Sequence, residues 1–320
     1  MSATEALVAP GRGAKRVRRA GEPRSQKGPG RSRKTPHKGA IGVFVGPFGI
    51  LYLLFYLIPI GYAVWQSLLV VERDGLFGEP RTVFGGLAQY AQVFQNAPFW
   101  DSVGRVLLFG VVQVPVMLGL ALLFALLLDS PVLRGRRFFR LAFFAPYAVP
   151  GVIAAIMWGF LYSPNLSPFT DVTRTVDFLS PELVLWSIAN VVTWVFVGYN
   201  MLIIYSALLA IPSEVYEAAR LDGAGQIRIA WSIKIPMVAP AIVLTAVFSI
   251  IGTLQLLAEP QVFRSFSAAV SSTFTPNMTI YATNSIPNSS LAAAFSVVLA
   301  LATFVLSFVF LKVTQRKAEQ

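Results

Sequence analysis

Residues 212–240 read PSEVYEAARLDGAGQIRIAWSIKIPMVAP, a stretch with three acids and three bases between two apolar runs long enough to span a bilayer. Ser213 is suited to cap a helix, its hydroxyl accepting from an orphan amide, with Glu214 and Glu217 near the positive helix end. Ala218, Ala219 and Leu221 continue that short helix, and Asp222-Gly223 ends it with a residue free to take positive φ. A second short helix is expected over about 226–233, leading to Pro236, where the next apolar run opens. Two short helices around a glycine elbow, pinned between membrane spans, have the form of a docking surface.

Composition sets the surroundings of that surface. The chain has 320 residues, 55% apolar and 13% charged, with a mean hydropathy of +0.65. Crossing ~30 Å of hydrocarbon takes about 20 apolar residues as helix. Six runs qualify, at about 41–69, 106–128, 141–162, 183–210, 237–257 and 291–312. The fold class is therefore an all-α polytopic membrane protein with six transmembrane helices. Pro47, Pro59 and Pro115 are expected to bend their spans, and Pro146 with Pro150 to distort the third. The domains follow: a disordered basic tail over 1–40, a membrane domain over 41–312 with its docking loop at 211–236, and a short tail over 313–320.

Inventory excludes much chemistry. Cysteine is absent and His37 is the single histidine, so thiol catalysis, disulfides and multi-histidine metal sites are ruled out. The net charge of +11 is concentrated in residues 1–40, which carry 11 Lys and Arg against Glu5 and Glu22. That segment has the composition of a disordered tail, expected as a topology determinant with an anchor to anionic lipid as the alternative, and not that of a nucleic-acid binder. Its GPGRSRKT, residues 28–35, has Arg33 where a phosphate-binding loop needs glycine, so a nucleotide must bind another chain. Of the 26 Lys and Arg, 21 fall on the tail's side of a six-span topology. Even without the tail the balance is ten to five, so both termini and the Glu217 loop are expected in the cytoplasm.

The docking loop resembles a known family. Glu217-Ala218-Ala219, three residues, Gly223, nine residues and Ile233-Lys234-Ile235-Pro236 are similar to the EAA loop of importer-type ABC permeases. Asp222-Gly223-Ala224 resembles the carbohydrate, maltose-type subgroup. The resemblance implies a type I ABC importer fold in which this loop is the coupling helix, with Glu217, Ala218, Ala219, Asp222, Gly223, Ile233 and Pro236 meeting a separate ATPase. It implies a bacterial inner-membrane location and four partners: a second homologous permease, an ATPase dimer, an extracytoplasmic solute-binding protein and a sugar. The chain itself would hold no cofactor, ATP and magnesium being bound by the ATPase. Phe84-Gly85-Gly86-Leu87 through Phe99-Trp100 is similar to the first outer loop of such permeases, with Phe99 and Trp100 expected as an interfacial anchor. The chain departs from the family pattern at Ser163–Pro168 and at Ser271–Pro276.

Polar residues inside spans usually face a bundle interior or a pathway. Span four offers Asn190, Thr193, Trp194, Tyr199 and Asn200; span five offers Thr245, Thr253 and Gln255, with Glu259 just outside. Amides, hydroxyls and aromatic faces suit a sugar, and Trp194, Asn200, Thr253 and Gln255 are the expected substrate pathway; each equally fits inter-helix bonding or interface anchoring. No span carries Lys, Asp or Glu near its centre, which favours energy supplied from outside the bilayer over a secondary carrier or channel. A scaffold would not need the polar residues of spans four and five. A polyol or glycerol phosphate ester is the alternative solute; the few basic residues on the outward side argue against an anion.

Overall fold

The computed structural model describes residues 38–73, 79–285 and 288–318. The basic tail with Gly28–Thr35 and His37 lies outside them. Two compact units are distinguished, residues 1–54 and 55–320. In the first, α1 (Lys38–Tyr52) contains Pro47.

The second unit begins with α2 (Ile58–Ser67) and a hairpin of β1 (Leu69–Arg73) and β2 (Pro80–Phe84), paired antiparallel with Leu69 opposite Phe84. Next come α3 (Ala88–Gln95) and the 33-residue α4 (Ala97–Asp129). Asn96 starts α4 early, its Oδ1 accepting from Phe99 N at 3.0 Å with Pro98 in the first turn. The second span therefore begins nine residues before the apolar run does. Phe99 is not an interfacial anchor: it is 1% exposed and packs on Phe295, 4.7 Å between rings. Trp100 is exposed and donates to the Val93 carbonyl.

The third apolar run is not one straight helix. α5 (Arg136–Phe144) passes through a tight turn, Ala145–Ala148, into α6 (Gly151–Tyr162), and the two legs meet at 96°. Pro146 and Pro150 flank the break, removing amide donors where the helix would continue. The 12-residue α6 is about 18 Å long, too short to cross the hydrocarbon alone. Among the described residues five helices are long and apolar enough to span, six if the bent pair counts as one.

After α7 (Thr170–Thr175) comes α8 (Val184–Leu209), the central helix. The docking loop holds α9 (Ser213–Leu221) and α10 (Gln226–Ile229), then a five-residue π turn to Lys234. α11 (Ile235–Leu254), α12 (Ala258–Phe263), α13 (Pro276–Ser285) and α14 (Ser289–Ala318) complete the chain. The tail expected from residue 313 is thus helical as far as Ala318.

Burial follows α4 and α8. At one end Val114, Met117, Ala121, Ala125 and Leu128 of α4 pack on Met201, Ile204 and Leu208 of α8 and Val238 of α11. At the other, Phe109, Ala154, Ala155, Ile188 and Phe263 form a second cluster that ties α6 and α12 to the same pair. Gly198 lets α8 cross the α5 backbone closely, since a Cβ there would collide with the Phe143 carbonyl oxygen. The outer faces of the spanning helices are apolar and exposed, as a lipid-facing surface requires (Leu108, Val111, Leu127, Phe304 and Phe308 among them).

Candidate functional site: a docking elbow and a cavity between spans

α9 starts one residue earlier than capping by Ser213 would have it. Pro212 occupies the N-cap position and Ser213 is already helical, so no side chain caps this helix. Proline presets the entry dihedral instead, at φ −59°. The other end follows a defined motif. Ala224 N donates to the Ala219 carbonyl at 2.9 Å and Gly223 N to the Arg220 carbonyl at 3.0 Å, the paired bonds of a Schellman cap. Gly223 takes φ +78°, the left-handed conformation that such a cap demands.

The elbow presents a mixed surface. Glu217, Ala218, Asp222 and Gly223 are exposed, whereas Ala219 is buried against the chain's own bundle. Ile233 is half-buried and Pro236 exposed at the start of α11. Leu221, Ile227 and Trp231 stand out at 89%, 78% and 70% exposure, three large apolar side chains within eleven residues of a charged loop. Beneath them Lys234 Nζ pairs with Asp129 Oδ2 at the end of α4 and lies 5.2 Å from the centre of the Tyr216 ring. Burial, with the Asp129 carboxylate nearby, pushes the Tyr216 hydroxyl above its ordinary value, so it stays protonated near neutrality.

The second feature is a cavity of about 420 Å³ between α4, α8 and α11. From α8 it takes Val192, Phe196, Tyr199 and Asn200, spaced i, i+4, i+7 and i+8 along one face. Trp194 is on another face, half-buried and edge-on to Trp158 at 6.0 Å, away from this cavity. Asn200, Thr253 and Gln255 all line it. Thr253 and Gln255 arrive there because α11 ends at Leu254 and the chain turns through Gln255–Leu257 before α12. Tyr199 is held by stacking on Tyr147, 4.8 Å between rings, at the break between α5 and α6.

Beyond the expected pathway residues, the polar lining comes from Gln113, Tyr199, Ser249 and Glu259. Gln113 of α4 is 2% exposed, its Nε2 donating to Thr193 Oγ1 at 3.2 Å. Tyr199 supplies the aromatic face. Glu259, in the first turn of α12, is 8% exposed and is the single charged residue of the lining. An amide within an apolar run was the readable signal for Gln113; Tyr199 and Glu259 are legible as polar residues within or just outside spans four and five, and the turn from α11 into α12 brings Glu259 to the cavity.

Residues 117–318 match the family described as "Binding-protein-dependent transport system inner membrane component". The sn-glycerol-3-phosphate transport system permease protein UgpA of Yersinia pseudotuberculosis is 31% identical over 194 residues, which cover 58% of this chain and 64% of that protein. Its counterpart from Agrobacterium fabrum is 30% identical over 210 residues, 64% of this chain and 70% of that one. The fold is similar to a chain of the bacterial alginate ABC transporter crystallised with an alginate pentasaccharide-bound periplasmic protein. That match has a TM-score of 0.73 at 18% identity, covering 88% of this chain and 96% of the other. A chain of the MetNI methionine ABC transporter matches at 0.51 and 15% identity, over 72% of this chain and 98% of that one.

Proposed function

The chain belongs to the binding-protein-dependent transport system inner membrane component family, and on that premise we propose that it is a permease subunit of an ATP-driven importer for a sugar or related polyol. The observation that carries this reading is the docking elbow: a short helix stopped by a Schellman cap at Gly223, which exposes Leu221 beside Glu217, followed by α10, which exposes Ile227. Exposed apolar residues rimmed by charge are the composition of a protein interface. In a multi-pass membrane protein whose loop faces the cytoplasm, the fitting partner is an ATPase with a groove for that helix.

In this reading ATP and magnesium are bound by a dimer of that ATPase, and one elbow from each of two homologous permeases sits in each subunit. Closure of the dimer on ATP displaces the elbows. The Lys234–Asp129 pair and the burial of Ala219 and Ile229 transmit the displacement to α4 and α11. Those helices border the cavity, which alternates between a solute-binding protein outside and the cytoplasm. Asn200, Thr253 and Gln255 provide polar contacts there and Tyr199 a ring face. Both termini lie in the cytoplasm, with the basic tail against anionic lipid. The names of the relatives support glycerol phosphate as a class to test, and the Asp222-Gly223-Ala224 resemblance supports a carbohydrate.

Gentle detergent purification from the native membrane, with mass spectrometry of what stays bound, tests the assignment. The expected result is co-purification of an ABC ATPase and a second multi-span permease, both lost in Glu217→Arg. A chain that elutes alone and transports in liposomes without ATP would replace the reading with a secondary carrier.

A further inference from the structure

Four arginines open the third span, and the chain supplies no acid to meet them. Arg134, Arg136, Arg137 and Arg140 are exposed, and no Asp or Glu lies between Asp129 and Asp171 in sequence. Asp129, the nearest carboxylate in sequence, is committed to Lys234. None of the four makes an ion pair among the described residues. Only Arg136 makes a side-chain hydrogen bond, donating to the Ser130 carbonyl at 2.9 Å. Arg136, Arg137 and Arg140 fall within about 100° of one another around α5. Like charges at i and i+4 repel, and cations in a first turn oppose the helix dipole. The arrangement costs α5 stability unless an anion offsets it.

The arginines stand where the bundle meets the edge of the lipid. The Arg136–Ser130 bond ties the start of α5 to the end of α4, the end at which Asp129 meets Lys234 of the docking loop. The other end of α5 is inside the bundle. Phe143 stacks on Phe124 of α4, 4.4 Å between rings, and its carbonyl faces Gly198 in the middle of α8. Between those ends Phe138 and Leu141, 70% and 65% exposed, present apolar side chains beside the arginines. Such a helix suits the boundary of headgroups and acyl chains, where an arginine's stem lies along apolar surface and its head reaches the polar layer.

From these observations we infer that Arg136, Arg137 and Arg140, with Phe138 and Leu141, form a binding site for an anionic phospholipid of the leaflet that borders the docking elbow. The guanidinium groups take the phosphodiester, to which arginine donates paired hydrogen bonds, and Phe138 and Leu141 lie against the acyl chains. A groove of an ATPase fits less well, because it would have to cover apolar side chains that belong to a spanning segment. The bound lipid pins the α5 leg of the bent span, which leads to Tyr147 and its stack on Tyr199 at the cavity. The inference is independent of the solute that the cavity takes.

The test uses the full chain with whatever subunits stay bound to it, in mild detergent, mixed with phosphatidylglycerol and phosphatidylcholine in equal amounts. Native mass spectrometry counts the lipids retained, and thermal unfolding with and without added phosphatidylglycerol reads stabilisation by the bound lipid. The parent is expected to prefer phosphatidylglycerol and to unfold at a higher temperature in its presence. Retention should fall about fivefold in Arg137→Gln and on the order of thirtyfold when Arg140→Gln is added, with the rise in unfolding temperature lost. The basic tail is intact in every variant, so those losses belong to α5. Arg137→Lys with Arg140→Lys keeps the charge without the planar fork and should fall between the parent and the glutamine pair. Without added lipid the glutamine pair should unfold no lower than the parent, because the arginines repel one another. A lower temperature there, equal retention in parent and glutamine pair, or no preference between the two lipids would each overturn the inference. Displacement of phosphatidylglycerol by inorganic phosphate at matched ionic strength would overturn it in favour of a soluble anion. Loss of a bound ATPase from the glutamine pair, with lipid retention unchanged, would overturn it in favour of a protein contact.

Discussion

Lys234 Nζ lies 2.5 Å from Asp129 Oδ2, joining the foot of α11 to the end of α4 across 105 residues of sequence. It is the single ion pair among the described residues, with side chains 9% and 14% exposed. A pair this buried is maintained by geometry: each charge is tolerable because the other is there. Its place directly under the docking elbow makes it the rigid link between that elbow and a helix of the cavity wall.

Breaking the pair from either side is expected to be worse than removing it whole. Lys234→Met or Asp129→Asn strips one partner from a nearly buried pair, a change that costs about 3–5 kcal/mol in comparable settings. Lys234→Met combined with Asp129→Leu leaves no orphan charge and is expected to recover most of that loss. Thermal unfolding of the three variants in detergent measures the cost. ATP-driven uptake, low in the double variant as well, separates the linking role from stability alone. A double variant with full transport would show that α4 and the elbow need no direct tie.

Gly223 tests the elbow itself. At φ +78° a β-branched side chain is strained, so Gly223→Val is expected to cost about 1–3 kcal/mol locally. Gly223→Asn, which tolerates the left-handed region, should cost less. No atom stands within 4 Å of a Cβ added there, so the effect is backbone strain and not collision. The readout is ATP hydrolysed per solute moved: Val should uncouple the two, and Asn should stay near the parent.

Gly198 fails for the opposite reason. Its conformation suits any residue, but a Cβ would run into the Phe143 carbonyl and the Phe144 Cα, both backbone atoms that cannot swing aside. Gly198→Ala is expected to push α8 off α5, costing about 1–3 kcal/mol as overpacking does. Because Tyr147 stacks on Tyr199 just beyond that crossing, solute binding should fall together with the unfolding temperature. Gly225→Ala, open on all sides at the docking loop, is the matched control.

Local features were the legible ones. The Schellman glycine, the run of short helices around it and the break between Pro146 and Pro150 are each written within a few residues, and the six apolar runs within about twenty. What depended on distant packing was not. Phe99 reads as an interface residue until α14 supplies Phe295 as its neighbour. Trp194 and Asn200 read alike as polar or aromatic residues of one span; six residues apart on a helix of 3.6 per turn, they face in different directions, and only Asn200 lines the cavity. Ser213 reads as a cap, but Pro212 before it fixes an earlier start. The Asp129–Lys234 pair could not be read at all, because nothing in either neighbourhood points to the other.

The exposed face of the elbow yields the remaining prediction. The Glu217 side chain makes no hydrogen bond or ion pair among the described residues, and Leu221 is the most exposed large apolar residue of the chain's docking loop at 89%. If both meet an ATPase groove, their substitutions differ in kind. Glu217→Gln keeps shape and hydrogen bonding and is expected to be mild; Glu217→Arg reverses charge against a partner chosen for a carboxylate and is expected to be severe. Leu221→Ser removes an apolar anchor, and burying a leucine side chain is worth about 1.5–3 kcal/mol, so ATPase retention should fall by on the order of tenfold or more. None of the three should lower the unfolding temperature of the isolated permease, because neither side chain packs on its own chain. Pull-down of the ATPase alongside thermal unfolding distinguishes the cases: loss of partner with an unchanged unfolding temperature marks this face as the contact. Equal retention in Glu217→Arg, Leu221→Ser and the parent would move the contact elsewhere on the loop.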